Sequence, residues 1–163
     1  MTGRIFNTDT LDPMLAAMRE ALDDPSEAMA DLGEYLVNAT QERMLKGETP
    51  DGAPFAPRSQ ATLDRYARLG LSYGAPLNQS GNMRATLFYE ADKDGLEYGS
   101  NAIQAAVMQF GAAKGAFGTA SNGSSIPWGD IPEREYIGIS DDDQDNMVLD
   151  LEEWLQAAAD GRG

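Results

Sequence analysis

The chain has 163 residues, enough for one domain with a hydrophobic core, and it contains neither cysteine nor histidine. Disulfides, thiolate chemistry and Ser–His–Asp or Cys–His mechanisms are therefore excluded. Its 27 acidic and 12 basic side chains give a formal net charge of −15, and no basic footprint for tight binding to nucleic-acid phosphates exists. The sequence has no apolar run that could span a bilayer and no secretory leader, so we expect no membrane association.

The negative charge is concentrated at the two ends of the sequence. Residues 1–50 hold 10 acids and 4 bases, and residues 141–163 hold 8 acids and 1 base. Residues 51–140 are close to balance, with 9 acids and 7 bases. Solubility or a salty habitat is the simplest explanation, and a basic protein partner is the alternative.

Two helices are predicted in the N-terminal third. The first lies within residues 1–24 and is capped by Thr10 or Asp12. The second follows a start signal, in which Asp24 is the cap and Pro25 the first helical residue, and it ends near Lys46.

A loop rich in proline and glycine follows at residues 47–58. Phe55 is its one large apolar side chain and is expected to anchor the loop in the core. Ser59 then caps a short helix, which Gly70 ends.

Residues 85–98 alternate apolar and polar side chains on both sides of Asp92-Lys93-Asp94-Gly95, which predicts a β-hairpin with Gly95 at positive φ. Ser100 or Asn101 then caps a helix that Gly111 ends. We expect its apolar stripe to face the core; its members are Ile103, Val107 and Phe110. Gln109, Phe110 and Gly111 are expected to form a packing element at the helix end.

Residues 112–130 show no periodic pattern and are predicted to form a long flexible loop. Its large apolar side chains are Phe117 and Trp128. An exposed Trp128 suits a contact surface, and packing onto the chain's own core is the alternative.

The C-terminal part is predicted to contain a strand at residues 136–139 and a long amphipathic helix at residues 141–160. Arg134, just before the strand, is expected to be a structural ion-pair partner. The apolar stripe of the helix is the strongest in the chain: Met147, Leu151, Trp154, Leu155 and Ala158.

Helices and strands are segregated along the chain, which indicates an α+β fold with a small antiparallel sheet, the hairpin plus one strand, packed by helices. We expect residues 1–163 to form a single domain. No catalytic, cofactor-binding or metal-binding motif is found. The acidic run Asp141–Asp145 is not a calcium loop, because it lacks the central glycine and the closing glutamate of such a loop. The sequence therefore predicts a protein that is not an enzyme and needs no cofactor.

Four phrases of the sequence resemble the phage virion morphogenesis, or tail completion, family, which includes the G protein of Mu-like phages and the S protein of P2-like phages. PDGAPFAPRSQATL at 50–63 is similar to that family's PDG-x-x-W-x-P-L-S-x-x-T. LNQSGNMRATLFYEADKDGLEYGSN at 77–101 is similar to its L-x-D-T-G-x-L-x-x-S turn and following hairpin. AAVMQFGA at 105–112 and IPEREYIGISDDDQDNM at 131–147 are similar to Y-A-x-I-H-Q-F-G-G and I-P-A-R-P-F-L-G-L-S-D-E-D.

The chain departs from that pattern at four positions. Phe55 stands where the family has Trp, Asn78 where it has Asp, Met108 where it has His, and Glu135 where it has Pro. These exchanges are compatible with packing and bear more on partner specificity than on the fold.

The resemblance implies a structural protein of the head–tail junction of a tailed phage, found in the neck or tail of the virion and assembled in the host cytoplasm. It implies a homo-oligomeric ring, six- or twelve-fold, that contacts portal, adaptor or stopper proteins and tail tube proteins. DNA would pass through its lumen without specific binding. Candidate interface residues are Trp128, Phe117, Trp154 and Arg134.

Two alternatives remain open on the sequence. The first is an acidic DNA mimic that binds a basic partner, which requires a rigid array of carboxylates. The second is a carboxylate-based hydrolase, for which no spacing of acids selects a catalytic pair.

Overall fold

The computed structural model of the chain describes residues 8–161, and within them helices and one small sheet form an α+β fold, as predicted. Residues 1–7 of the expected N-terminal helix lie outside the described residues. The elements, in chain order, are α1 (Thr8–Asp23), α2 (Ser26–Lys46), α3 (Gln60–Leu69), α4 (Asn82–Ala85), β1 (Leu87–Asp92), β2 (Gly95–Ser100), α5 (Ala105–Phe110) and α6 (Asp141–Ala159).

Local sequence signals place most helix ends correctly. Asp24 accepts a hydrogen bond from the backbone N–H of Ser26 at 3.2 Å and so caps α2. A hydrogen bond from the Ser26 hydroxyl, and after it this backbone bond, lower the pKa of the Asp24 carboxyl. Ser59 accepts from Thr62 N at 3.3 Å and caps α3, which Gly70 ends in the left-handed conformation. The predicted start of α1 is wrong, because this helix begins at Thr8.

The sheet consists of β1 and β2 alone within the described residues, so the hairpin is confirmed and the third strand at residues 136–139 is wrong. The turn also differs from the prediction, since Gly95 is not among the glycines at positive φ. The Asp92 carboxylate closes the turn instead, accepting from the backbone N–H of Asp94 at 2.8 Å and of Gly95 at 3.1 Å.

The described residues group into two compact units. Unit 1 comprises residues 8–35, 89–97 and 142–161, and unit 2 comprises residues 36–88 and 98–141. The prediction of a single domain stays a prediction. The two units differ in charge: these stretches of unit 1 hold 19 acids and 2 bases, whereas unit 2 holds 8 acids and 8 bases.

Unit 1 contains the first half of α2, the tip of the hairpin and α6. Gly33 lets the hairpin approach α2 closely, since a Cβ there would lie 2.6 Å from Tyr89 Cγ and 2.8 Å from Leu96 Cδ1. The buried Asp143 in the first turn of α6 accepts a hydrogen bond from the Tyr35 hydroxyl at 3.0 Å. The predicted stripe of α6 is confirmed as its half-buried face: Met147, Leu151, Trp154, Leu155 and Ala158.

Unit 2 contains a hydrophobic core of five buried side chains: Met44, Phe55, Met83, Leu87 and Tyr136. Phe55 is therefore the loop anchor that the sequence predicts. Tyr136 is fully buried, and this burial raises the pKa of its hydroxyl.

Candidate functional site

The segment after Asp130 is held by polar side chains rather than by a neighbouring strand. Gln109 Oε1 accepts hydrogen bonds from the backbone N–H groups of Tyr136 and Ile137, each at 3.0 Å, and its Nε2 donates to Ile137 O at 2.9 Å. Arg43 and Tyr98 both donate to the carbonyl of Gly138, at 2.9 and 3.0 Å. These bonds satisfy the backbone groups that a third strand would have used, which explains why that strand is absent.

Arg134 holds this segment to the proline-rich loop. Its backbone N–H donates to Met108 O at 2.9 Å, and its guanidinium donates to the carbonyls of Ala56 at 2.7 Å and Pro57 at 2.8 Å. The side chain is buried, and burial together with the nearby Arg58 lowers its pKa. The predicted ion pair is wrong, since the acceptors are backbone carbonyls. A direct interface role for Arg134 stays a prediction, and only 7% of the residue is exposed.

Gly111 ends α5 at a point where two backbone segments nearly touch. Its φ of 69° and ψ of 178° lie in a region that is essentially restricted to glycine. A Cβ at this position would lie 2.7 Å from Ile131 O and 2.9 Å from Glu133 N. Gln109 and Gly111 therefore serve the packing at the helix end that the sequence predicts for them.

Phe110 and Ile103 differ from the sequence-based expectation. Both were expected to face the core, yet Phe110 is 73% exposed and Ile103 is fully exposed. The helix is also shorter than predicted, because it begins at Ala105 and not after Asn101. Ser100 Oγ instead accepts from Ala102 N at 3.3 Å, inside a turn that precedes the helix. The stripe spans residues 103–110, about two helical turns, and the six-residue helix leaves Ile103 outside it.

The 112–130 loop consists of two arms joined by backbone hydrogen bonds. Ala112 and Ile131 exchange bonds of 2.9 and 2.7 Å at its base, Phe117 N donates to Ile126 O at 2.8 Å, and Ala120 N donates to Ser124 O at 2.8 Å. A cis peptide bond precedes Pro127. The loop thus has internal order that its composition does not reveal, and its predicted flexibility stays a prediction.

The large side chains of this loop point away from the core of unit 2. Trp128 is 82% exposed, Phe117 is 58% exposed, and Ile126 is also exposed. Of the two alternatives for Trp128, exposure is the one observed. Because Phe117 and Ile126 pair across the arms, the loop presents apolar side chains from both of them, and we call these three residues the loop apolar surface.

Trp154, the fourth interface candidate, belongs to unit 1. It is half-buried on α6 and lines a cavity of about 440 Å³ with Ala28, Leu32 and Leu151. Packing within unit 1 therefore buries part of the Trp154 side chain, and its interface role stays a prediction.

Two exposed side chains and one cation were missed by sequence reasoning. Ile103 and Ile126 carry no local signal of exposure, since apolar residues are usually core residues. Arg58 donates to the carbonyls of Gly74 at 2.7 Å and Ala75 at 2.6 Å and lies over the rings of Tyr66 and Tyr73. Backbone carbonyls leave no trace in a sequence, so this arrangement could not have been predicted.

Most of the polar side chains described above hold backbone segments in place. Among residues 8–161, no three acidic side chains are grouped so that they could hold a metal ion. None of the described helices is long and apolar enough to cross a membrane. The fold and its exposed apolar loop define a small α+β protein that is suited to contacts with other proteins.

The comparison with protein families identifies the kind of protein. Residues 6–156 match the phage virion morphogenesis family, and the chain belongs to that family. It is therefore a phage protein with a structural or assembly role in the virion, in a family that is generally non-enzymatic. The comparisons with curated proteins and with solved structures found no match.

Proposed function

We propose that the chain is a structural protein of the head–tail junction, which forms a homo-oligomeric ring that completes the tail or neck and connects it to the head. The observation that carries this proposal is the loop apolar surface, Phe117, Ile126 and Trp128, in a protein of virion assembly. Trp is enriched among binding hot spots, and Phe is enriched in the buried core of interfaces.

The backbone of the 112–130 loop supports this role. Bonds between its arms hold Phe117 and Ile126 opposite each other, so little conformational entropy is lost when a neighbour covers them. A loop that is ordered in this way suits a heterologous, head-to-tail interface, which closes into a ring when the rotation between subunits permits.

The distribution of charge supports a ring around DNA. Unit 2, which carries the loop apolar surface, has balanced charge, so subunits can meet there without strong repulsion. Unit 1 carries the acidic excess, and we infer that it contributes the surface that faces the DNA path. Symmetry multiplies this negative field, which would repel phosphate and let DNA pass without binding.

The partners that follow are neighbouring copies, portal, adaptor or stopper proteins on the head side, and tail tube proteins on the tail side. Trp154 and Arg134 remain interface candidates. Arg134 would act indirectly, by holding together the loops that meet the partner. The copy number, six or twelve, is part of the proposal.

The test compares assembly of the purified protein with that of a double variant, Phe117→Ser and Trp128→Ser. We expect rings of the unaltered protein in negative-stain images and multiples of the subunit mass in native mass spectrometry. The double variant should remain a monomer with unchanged thermal stability, because both side chains are exposed in the subunit. Leu149→Ser, at an exposed position of α6, is the control and should assemble normally.

An acidic mimic of DNA is the second candidate, and the acidic excess of unit 1 is the observation that favours it. Salt-sensitive binding of a basic nucleic-acid-binding protein by the Phe117→Ser, Trp128→Ser variant, with no ring from the unaltered chain, would favour it over the ring proposal.

A further inference from the structure

Unit 2 contains a cavity of about 440 Å³ at the place where α3, α5 and the segment after Asp130 meet. This volume is in the range of small-ligand pockets. Its wall is mixed: Leu77, Met83 and Met108 contribute apolar surface, and Ser59, Thr62 and Gln104 contribute polar groups. Arg58 and Arg134 both line it.

The Arg134 guanidinium lies in this wall, and some of its N–H groups have no hydrogen-bond acceptor. It has five N–H donors, of which two bind the carbonyls of Ala56 and Pro57 and a third makes a long contact of 3.5 Å with Pro132 O. Each of its two terminal nitrogens therefore keeps one further N–H. Desolvation lowers its pKa, which is the cost of a buried cation that no anion compensates.

Arg58, the second cation of the cavity, is also held without a carboxylate. Its donors bind the Gly74 and Ala75 carbonyls, and two tyrosine rings lie beneath it. Within the described chain, neither arginine has a carboxylate at salt-bridge distance. Asp130 is the one acid in the wall, and its Oδ1 accepts from Lys114 N at 2.8 Å.

We propose that this cavity is a binding site for a carboxylate carried on a short apolar chain. Two uncompensated guanidinium groups attract an anion, and the guanidinium fork matches a carboxylate in geometry. The apolar wall favours an anion with methylene groups. Inorganic phosphate has no methylene groups to contact that wall. This inference does not depend on the ring proposal.

The carboxylate could belong to a free carboxylic acid or to an acidic side chain of another protein, and the test separates these sources. Glutarate is titrated into the ¹⁵N-labelled chain, with neutral glutaramide and inorganic phosphate as the comparison probes. We expect saturable shifts of the Arg58 and Arg134 Nε–H signals and of the Thr62 and Met108 amides, with a dissociation constant of roughly 1–10 mM for so small a probe. Neutral glutaramide cannot form a charge-assisted pair with the guanidinium groups, and phosphate has no methylene groups for the apolar wall, so we expect clearly smaller shifts from both.

A matched pair of variants tests the location. Gln104→Glu places a negative charge at the cavity wall, at an exposed side chain that makes no cap bond, and should weaken glutarate binding by about tenfold or more. Gln144→Glu makes the same change on the exposed face of α6 and should leave binding unchanged.

Acetyl-Leu-Glu-Leu-amide identifies the source. Tighter binding than that of glutarate indicates an acidic side chain of a partner protein, and weaker binding indicates a free acid; both support the site. The absence of saturable shifts with glutarate, equal shifts with glutaramide or phosphate, or unchanged affinity in Gln104→Glu would overturn the proposal.

Discussion

Replacing Gly111 by alanine is expected to lower the free energy of unfolding by about 3 kcal/mol or more. The backbone of Gly111 has a φ of 69° and a ψ of 178°, a conformation that residues with a Cβ rarely adopt. The new Cβ would also lie 2.7 Å from Ile131 O and 2.9 Å from Glu133 N. Ile131 cannot move away easily, because it exchanges two hydrogen bonds with Ala112.

Urea unfolding followed by far-UV circular dichroism measures this effect as a lower midpoint with an unchanged slope. Gly129→Ala is the matched control. Gly129 is not at positive φ and has no atom within 4 Å of its expected Cβ, so we expect a change within about 0.5 kcal/mol. Equal stability of the two variants would contradict the close approach at Gly111.

Gln109→Leu is expected to cost about 3 kcal/mol, because three backbone groups of Tyr136 and Ile137 lose their partner at roughly 1 kcal/mol or more each. Gln109→Glu should cost less. A carboxylate still accepts from the two N–H groups but cannot donate to Ile137 O.

The same unfolding measurement applies, with Gln104→Leu as the control. Gln104 is exposed, lies at the other end of α5, and makes no side-chain cap bond. We expect Gln104→Leu to be the most stable of the three variants, Gln109→Glu to be less stable, and Gln109→Leu to be the least stable. If Gln109→Leu were as stable as the control, the Gln109 amide would not be what holds residues 136–137.

The elements that could be predicted are those whose signals lie close together in the sequence. Asp24 and Ser59 cap their helices through residues two and three positions away, and the apolar period of α6 runs through one continuous stretch. The hairpin was also predicted correctly, although its turn is closed by the Asp92 carboxylate and not by Gly95.

The elements that could not be predicted depend on partners far along the chain. Residues 136–139 have the period of a strand, but the Gln109 side chain, 27 and 28 residues away, takes the backbone groups that a strand would pair. Arg134 is held by carbonyls 77 and 78 residues away, and carbonyls are common to every residue type. The acidic residues beside Arg134 in the sequence therefore suggest an ion pair, but the folded chain does not form it.

The candidate contact surface was predicted in part. Exposure of Trp128 was one of two alternatives, and the structure selects it. Phe110 was expected in the core because its spacing from Ile103 and Val107 is helical. Spacing identifies a face but not what covers it: Val107 on that face is half-buried, whereas Phe110 is exposed.

Electron microscopy of phage particles assembled without this chain tests directly whether it joins heads to tails as a structural subunit. We expect filled heads and separate tails that join when the purified protein is added, and not when the Phe117→Ser, Trp128→Ser variant is added. Particles that lack the chain and still carry firmly attached tails would contradict it.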